Sequence, residues 1–185
     1  DKRKQLGSRI SAASYGIRPM AVVPKTGELI TIGGLGSIFI YDVSSGERKE
    51  VRVSDVARES FRSISVSPDG ELIAAGSGRQ SAVFERKGDS KYVVKNNPKA
   101  RLAMTGDDRL AFGGNFSYVR FSPNGKILAV CQNQAHQEVR LLEAKTGKLI
   151  RTIKTKGLVV RFDFAPDGKT LVVCERDIAA RLYSV

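Results

Sequence analysis

The chain has 185 residues, 31 of them Lys or Arg against 19 Asp or Glu, for a formal net charge of +12. That length supports one domain with a sizeable core, and 41% hydrophobic with 27% charged residues is the make-up of an ordinary soluble protein. No apolar run approaches the ~20 residues of a membrane-spanning helix, and one histidine with two cysteines leaves no recognisable zinc cluster.

Asp1 to Leu6 are charged with no apolar stretch behind them, so no signal peptide is expected. After them the chain repeats one phrase four times: an apolar strand, a proline–glycine turn and a second apolar strand. The copies are Met20 to Gly27, Ile64 to Gly70, Val119 to Gly125 and Phe162 to Gly168. Their prolines, Pro24, Pro68, Pro123 and Pro166, are separated by 44, 55 and 43 residues. Large apolar residues fall two and four places before each proline: Val22 and Met20, Val66 and Ile64, Phe121 and Val119, Phe164 and Phe162. This alternation predicts strands with two unlike faces. In Ser67-Pro68-Asp69-Gly70 the proline presets φ, and Gly70 can take the left-handed conformation that closes a hairpin. Pro24-Lys25-Thr26-Gly27 reads as one residue longer.

The second strands are Leu29 to Ile32, Leu72 to Ala75, Ile127 to Cys131 and Leu171 to Cys174. They alternate little, which predicts burial on both faces. Third strands follow at Ser37 to Val43, Ala82 to Glu85, Val139 to Glu143 and Ala180 to Val185. Outer strands are expected at Lys49 to Val53, Lys91 to Lys95 and Leu149 to Ile153, with Ser54 to Ser60 a loop or a single helical turn. The final copy stops after its third strand, and Gly7 to Ser11, within the segment 7–13, stand as far before Pro24 as Leu149 to Ile153 stand before Pro166. It is expected to complete the last sheet, so that the two ends of the chain meet and no sheet edge is left open.

A strand-built period of ~40–45 residues is the signature of a β-propeller. The expected fold is therefore all-β: four antiparallel blades of four strands at about 17–54, 61–97, 116–155 and 158–185 plus 7–13, within one domain over 1–185. The excess near 101–114 is read as an inserted hairpin, with a fifth blade's remnant as the alternative. A stretch of a larger propeller and a half-ring paired with a second copy are the other arrangements considered. Cys131 and Cys174 each lie eight residues past a proline, in equivalent positions. Packed sheets stand ~10 Å apart, beyond the ~7 Å a disulfide spans, so both are expected to be free, buried thiols.

The phrases Ser67-Pro68-Asp69-Gly70-Glu71-Leu72-Ile73-Ala74, Ala165-Pro166-Asp167-Gly168-Lys169-Thr170-Leu171-Val172 and Ala144 to Ile153 resemble those of WD-repeat propellers. Lactonase-like propellers use nearly the same grammar. The chain has no tryptophan, and the Trp-Asp slots hold Tyr41-Asp42, Phe84-Glu85, Leu142-Glu143 and Tyr183-Ser184. It also lacks a Gly-His dipeptide. The resemblance implies a non-catalytic protein-interaction scaffold, cytoplasmic or, in a eukaryote, nuclear.

No enzyme constellation accompanies the repeats. His136 lies in a polar tip without a nucleophile elbow, and Gly33-Gly34-Leu35-Gly36 has no following helix and lysine to hold phosphate. No catalytic residue, metal or cofactor is expected. A binding face is. In an up-and-down blade, the start of the first strand and the tip of the second-to-third connection open on one side. Arg18, Arg62, Arg79, Arg161 and Arg176 fall there, beside Tyr118, Gln80 and His136. Arginine matches carboxylates and phosphates with paired donors, so the expected partner is an acidic or phosphorylated peptide or protein. The alternatives are a lactonase-like enzyme and a nucleic-acid-binding propeller driven by the basic charge. No membrane span is expected, and a second copy or a larger assembly is a further expected partner.

Overall fold

The computed structural model describes residues 19–32, 37–45, 47–52, 61–76, 81–88, 92–94, 116–132, 137–176 and 180–185. Among them there are fifteen strands in four antiparallel sheets and no helix. The first sheet is β1 (Met20–Val22), β2 (Leu29–Ile32), β3 (Ser37–Tyr41) and β4 (Arg48–Arg52). The second is β5 (Ser63–Val66), β6 (Leu72–Gly76), β7 (Ser81–Arg86) and β8 (Tyr92–Val94). The third is β9 (Phe116–Phe121), β10 (Ile127–Gln132), β11 (Glu138–Glu143) and β12 (Leu149–Lys154). The fourth is β13 (Val159–Phe164), β14 (Thr170–Glu175) and β15 (Arg181–Ser184). Each sheet is a meander, with neighbours in sequence neighbours in space. No helix of the described residues is long and apolar enough to cross a membrane. The segments 7–13, 54–60 and 101–114 lie outside the described residues, as does any fourth strand of the last sheet.

The four first hairpins share one geometry. Val22 pairs with Leu29, Val66 with Ile73, Phe121 with Leu128 and Phe164 with Leu171. The offset is the same in each, so the first connection is not longer, against expectation. Its glycine is simply displaced by one place: Gly27 N bonds to Val23 O, whereas Gly70 N, Gly125 N and Gly168 N each bond three residues back. The Ser-Pro-Asx-Gly turns also carry a side-chain lock. Ser67 Oγ donates to Asp69 Oδ1 (2.5 Å) and accepts from Leu72 N (2.9 Å), while Asp69 Oδ1 accepts from Glu71 N (3.0 Å). Ser122, Asn124, Lys126 and Ile127 repeat the pattern. Burial raises the Asp69 carboxyl, but the Ser67 hydroxyl and the Glu71 amide outweigh it and hold the group below its ordinary value.

The sheets pack face to face in sequence order, β1 against β5, β5 and β6 against β9, and β9 against β13. Three apolar clusters fill the joints. The first holds Ala21, Ile30, Ile32, Ile38 and Ile40 with Ile64, Val66, Ile73 and Phe84. The second joins Leu72, Ala74 and Val83 to Val119, Phe121, Leu128, Val130 and Leu142. The third joins Ala129, Cys131, Val139 and Leu141 to Phe162, Phe164, Leu171 and Val173. Period-two alternation assigns the faces: residues two and four places before each proline look toward the preceding sheet, and the odd places look toward the following one.

The tight turns stack as well. A Cβ on Gly70 would meet Val23 Cγ1 at 2.9 Å, one on Gly125 would meet Pro68 Cδ at 3.1 Å, and one on Gly168 would meet Pro123 Cδ at 3.6 Å. Each turn thus rests on the turn before it. The inner edge of β9 is satisfied across a joint: Phe121 N donates to Ser65 Oγ (2.9 Å), and Val119 N donates to Ser63 Oγ (3.2 Å). An edge strand exposes unpaired amides, and here the preceding sheet's hydroxyls cover them.

The two cysteines are both free, but only Cys131 is buried; Cys174 is exposed. Both occupy the face that looks toward a following sheet. The fourth sheet covers Cys131, while among the described residues nothing covers Cys174. The same reason limits the expected two-sided burial of second strands: β6 is buried throughout, whereas β14 alternates.

Candidate functional site

Of the residues expected on the binding face, Arg18, Arg79, Gln80 and His136 lie outside the described residues. Arg62, Arg161 and Arg176 are exposed, and Tyr118 is half-buried. Arg62 stands at the foot of β5, its amide donating to Gly76 O at the end of β6 (2.7 Å). Arg176 ends β14, its amide donating to Leu158 O just before β13 (2.8 Å). Antiparallel pairing therefore puts first-strand starts and second-strand ends at one end of their sheets, as the repeat pattern predicts.

The structure brings two of these residues together. The Arg161 guanidinium stands 5.7 Å from the Tyr118 ring centre. A second guanidinium, that of Arg120, lies 4.6 Å from the same centre. Tyr118 meets Phe162 edge to face at 5.1 Å. An aromatic face carries negative charge density, so each cation is attracted by about 0.5–2 kcal/mol, more where water is excluded. The edge-on phenylalanine fixes the ring's tilt.

Arg120 is held in place. Its Nη1 donates to Ile64 O in the preceding sheet (3.1 Å) and to Val119 O (3.2 Å), and its Nε lies 3.6 Å from Asp163 Oδ2 in the following sheet. It therefore spans three sheets at their inner strands. The Asp163 side chain is mostly exposed, so that ion pair contributes little on its own. Arg161 differs: it is exposed, and among the described residues no carboxylate pairs with it. The geometry amounts to a rigid aromatic plate bearing one anchored cation and one outward-facing cation with free donors.

Arg120, Phe162 and Asp163 were not on the expected face. A signal for them exists in the repeat. Five and three places before the proline stand Pro19 and Ala21, then Ser63 and Ser65, then Tyr118 and Arg120, then Arg161 and Asp163. Those positions are small in the first two copies and large and functional-group-bearing in the last two.

Two buried carboxylates, Glu175 and Glu138, are satisfied by neighbouring groups. Glu175 is buried in the fourth sheet, accepting from Gly157 N (2.6 Å) and Tyr183 Oη (2.6 Å) with Arg181 Nε 3.7 Å away. Burial, then the bond to Glu175, pushes the Tyr183 hydroxyl up. Glu138 is held by Arg140 (2.7 Å) and Lys154. Burial raises its carboxyl, and these two cations outweigh that and keep it low. Among the described residues no group of three or more His, Cys, Asp or Glu could hold a metal ion.

No family model matches the chain, and no curated protein matches it. Among solved structures it is similar to a chain of the hydrazine synthase of Kuenenia stuttgartiensis, at 17% identity with a TM-score of 0.66. The likeness covers 96% of this chain and 49% of that one. At that identity it is a likeness of fold alone, and the chain spans about half of its neighbour's length.

Proposed function

We propose that the four sheets are blades of a WD-repeat-like β-propeller that serves as a non-catalytic interaction scaffold, holding an acidic or phosphorylated peptide at the arginine-bearing end of the sheets. The observation that carries this reading is the pair of guanidiniums on Tyr118, one anchored by Ile64 O and the other, Arg161, outward and exposed. Anchoring one cation lowers the entropy cost of presenting the second. Arg62 and Arg176 stand at the same sheet ends, and a net charge of +12 draws an acidic ligand toward them. Rigid sheets hold such end groups in register, which is what recognition by loops and strand ends requires.

The test is binding of fluorescently labelled polyglutamate and phosphoserine peptides, read by anisotropy. Arg161→Glu and Arg62→Glu should each weaken capture about tenfold or more, the loss expected for a charge-assisted hydrogen bond of about 1.5–3 kcal/mol, with the circular dichroism spectrum unchanged. Undiminished affinity in the double variant would dispose of the proposal. Tighter binding to a random oligonucleotide than to either peptide, falling steeply with salt, would favour the nucleic-acid alternative instead.

A further inference from the structure

We propose that Asp163 is a specificity-determining residue of the site on Tyr118, tuning it toward carboxylate-bearing peptides and against phosphorylated ones; the assignment rests on the peptide-capture reading above. Among the described first strands of the four sheets, Asp163 is the one acidic residue, and the two basic ones, Arg120 and Arg161, are the pair on the Tyr118 ring. Asp163 stands two places after Arg161 in β13, so both project from one face of the sheet. Its Oδ2 lies 3.6 Å from Arg120 Nε, and 69% of its side chain is open to water.

The repeat explains how this carboxylate is aimed. Three places before the proline the second sheet has Ser65, whose Oγ covers the Phe121 amide of the third sheet. At that place the third sheet has Arg120, which has no acceptor to offer the equivalent amide of the fourth, that of Phe164. Phe164 N donates instead to Asp163 Oδ1 (2.9 Å). One oxygen is thus tied to the backbone, and the other is left toward Arg120. The amide does not call for a charge, because an asparagine oxygen would accept from it as well. Folding gains little from the ion pair either, since it is exposed and longer than a hydrogen bond. What the charge acts on is an anion approaching the ring, where Asp163 offsets one of the two guanidiniums. A phosphoserine brings about −1.5 to −2 charge at pH 7 against about −1 for a glutamate. Repulsion from Asp163 therefore falls up to about twice as hard on the phosphate.

The experiment is anisotropy of two labelled peptides of one length, carrying glutamates or phosphoserines at the same places, at pH 7 and fixed salt. Asp163→Asn keeps an acceptor for Phe164 N and removes the charge. Asp167→Asn is the matched control: it makes the same change in net charge in the turn at the far end of β13, where Asp167 Oδ1 accepts from Lys169 N (2.8 Å). Asp163→Asn should tighten the glutamate peptide about threefold, the order of an exposed charge pair. It should tighten the phosphoserine peptide about fivefold to ninefold, in proportion to its larger charge. Asp167→Asn should move either peptide by less than about twofold, because salt screens the greater distance. Asp163→Ser, with the residue that the second sheet carries at this place, should repeat the result through a second side chain. Equal gains for the two peptides, no gain, or gains matched by Asp167→Asn overturn the assignment; loss of capture in Arg161→Glu would then leave the peptide-capture reading standing. Undiminished capture in Arg161→Glu overturns both.

Discussion

Arg86 reaches from the second sheet to Glu28 in the first, with Nη1 3.0 Å from Oε2 and Nη2 3.3 Å from Oε1. Both side chains are largely shielded, and the two bonds are parallel, the geometry in which an arginine–carboxylate pair is strongest. The Arg86 bond leads the causes that lower the Glu28 carboxyl below its ordinary 4.5. A depressed carboxyl adds stability that is present in full above the unfolded value and lost as pH falls through the folded one. Acid unfolding should therefore begin below about pH 4.5, and Glu28→Gln should remove part of that pH dependence while costing about 1–2 kcal/mol at neutral pH. Urea titrations at pH 7 and pH 4 check both.

The joint between the second and third sheets offers a cleaner measurement. Ser65 Oγ is the acceptor for the Phe121 amide at the inner edge of β9. Ser65→Ala leaves that buried donor without its partner, a loss of about 1–3 kcal/mol. Hydrogen exchange should show the Phe121 amide opening faster in the variant. Unchanged protection would mean that the hydroxyl is not what closes this edge.

Gly27 and Gly125 separate two costs. Both are left-handed, at φ 73° and 70°, so alanine at either should cost about 1–2 kcal/mol in backbone strain. Only at Gly125 does the new methyl press on another sheet, 3.1 Å from Pro68 Cδ. Gly125→Ala should therefore lower the melting temperature more than Gly27→Ala. Equal shifts would show that the turn stack carries no load.

The cysteines make a chemical probe of the stack's end. Burial pushes the Cys131 thiol up to about 11, whereas Cys174 is exposed. One thiol should react with a disulfide reagent in the native protein and the second only after denaturant is added, with mass spectrometry placing the first label on Cys174.

Much of this molecule is local. Proline, Asx and glycine at fixed offsets dictate a hairpin by themselves, and alternation of large and small residues assigns its two faces, so strand positions and the meander order could be read from Met20 to Val185 without coordinates. What could not be read that way depends on which sheet stands beside which. Cys131 and Cys174 are identical in their repeats, as are Ile64 and Met20 in kind, and only the presence or absence of a covering sheet separates buried from exposed. Tyr118, Arg120 and Arg161 belong to two sheets, and Ile64, whose carbonyl anchors Arg120, belongs to a third. A one-dimensional pattern specifies each strand's faces, but Arg161's place on the Tyr118 ring and the anchoring of Arg120 on Ile64 O arise only from the stacking of neighbours, because contacts 43 and 56 positions apart are set by packing and not by periodicity.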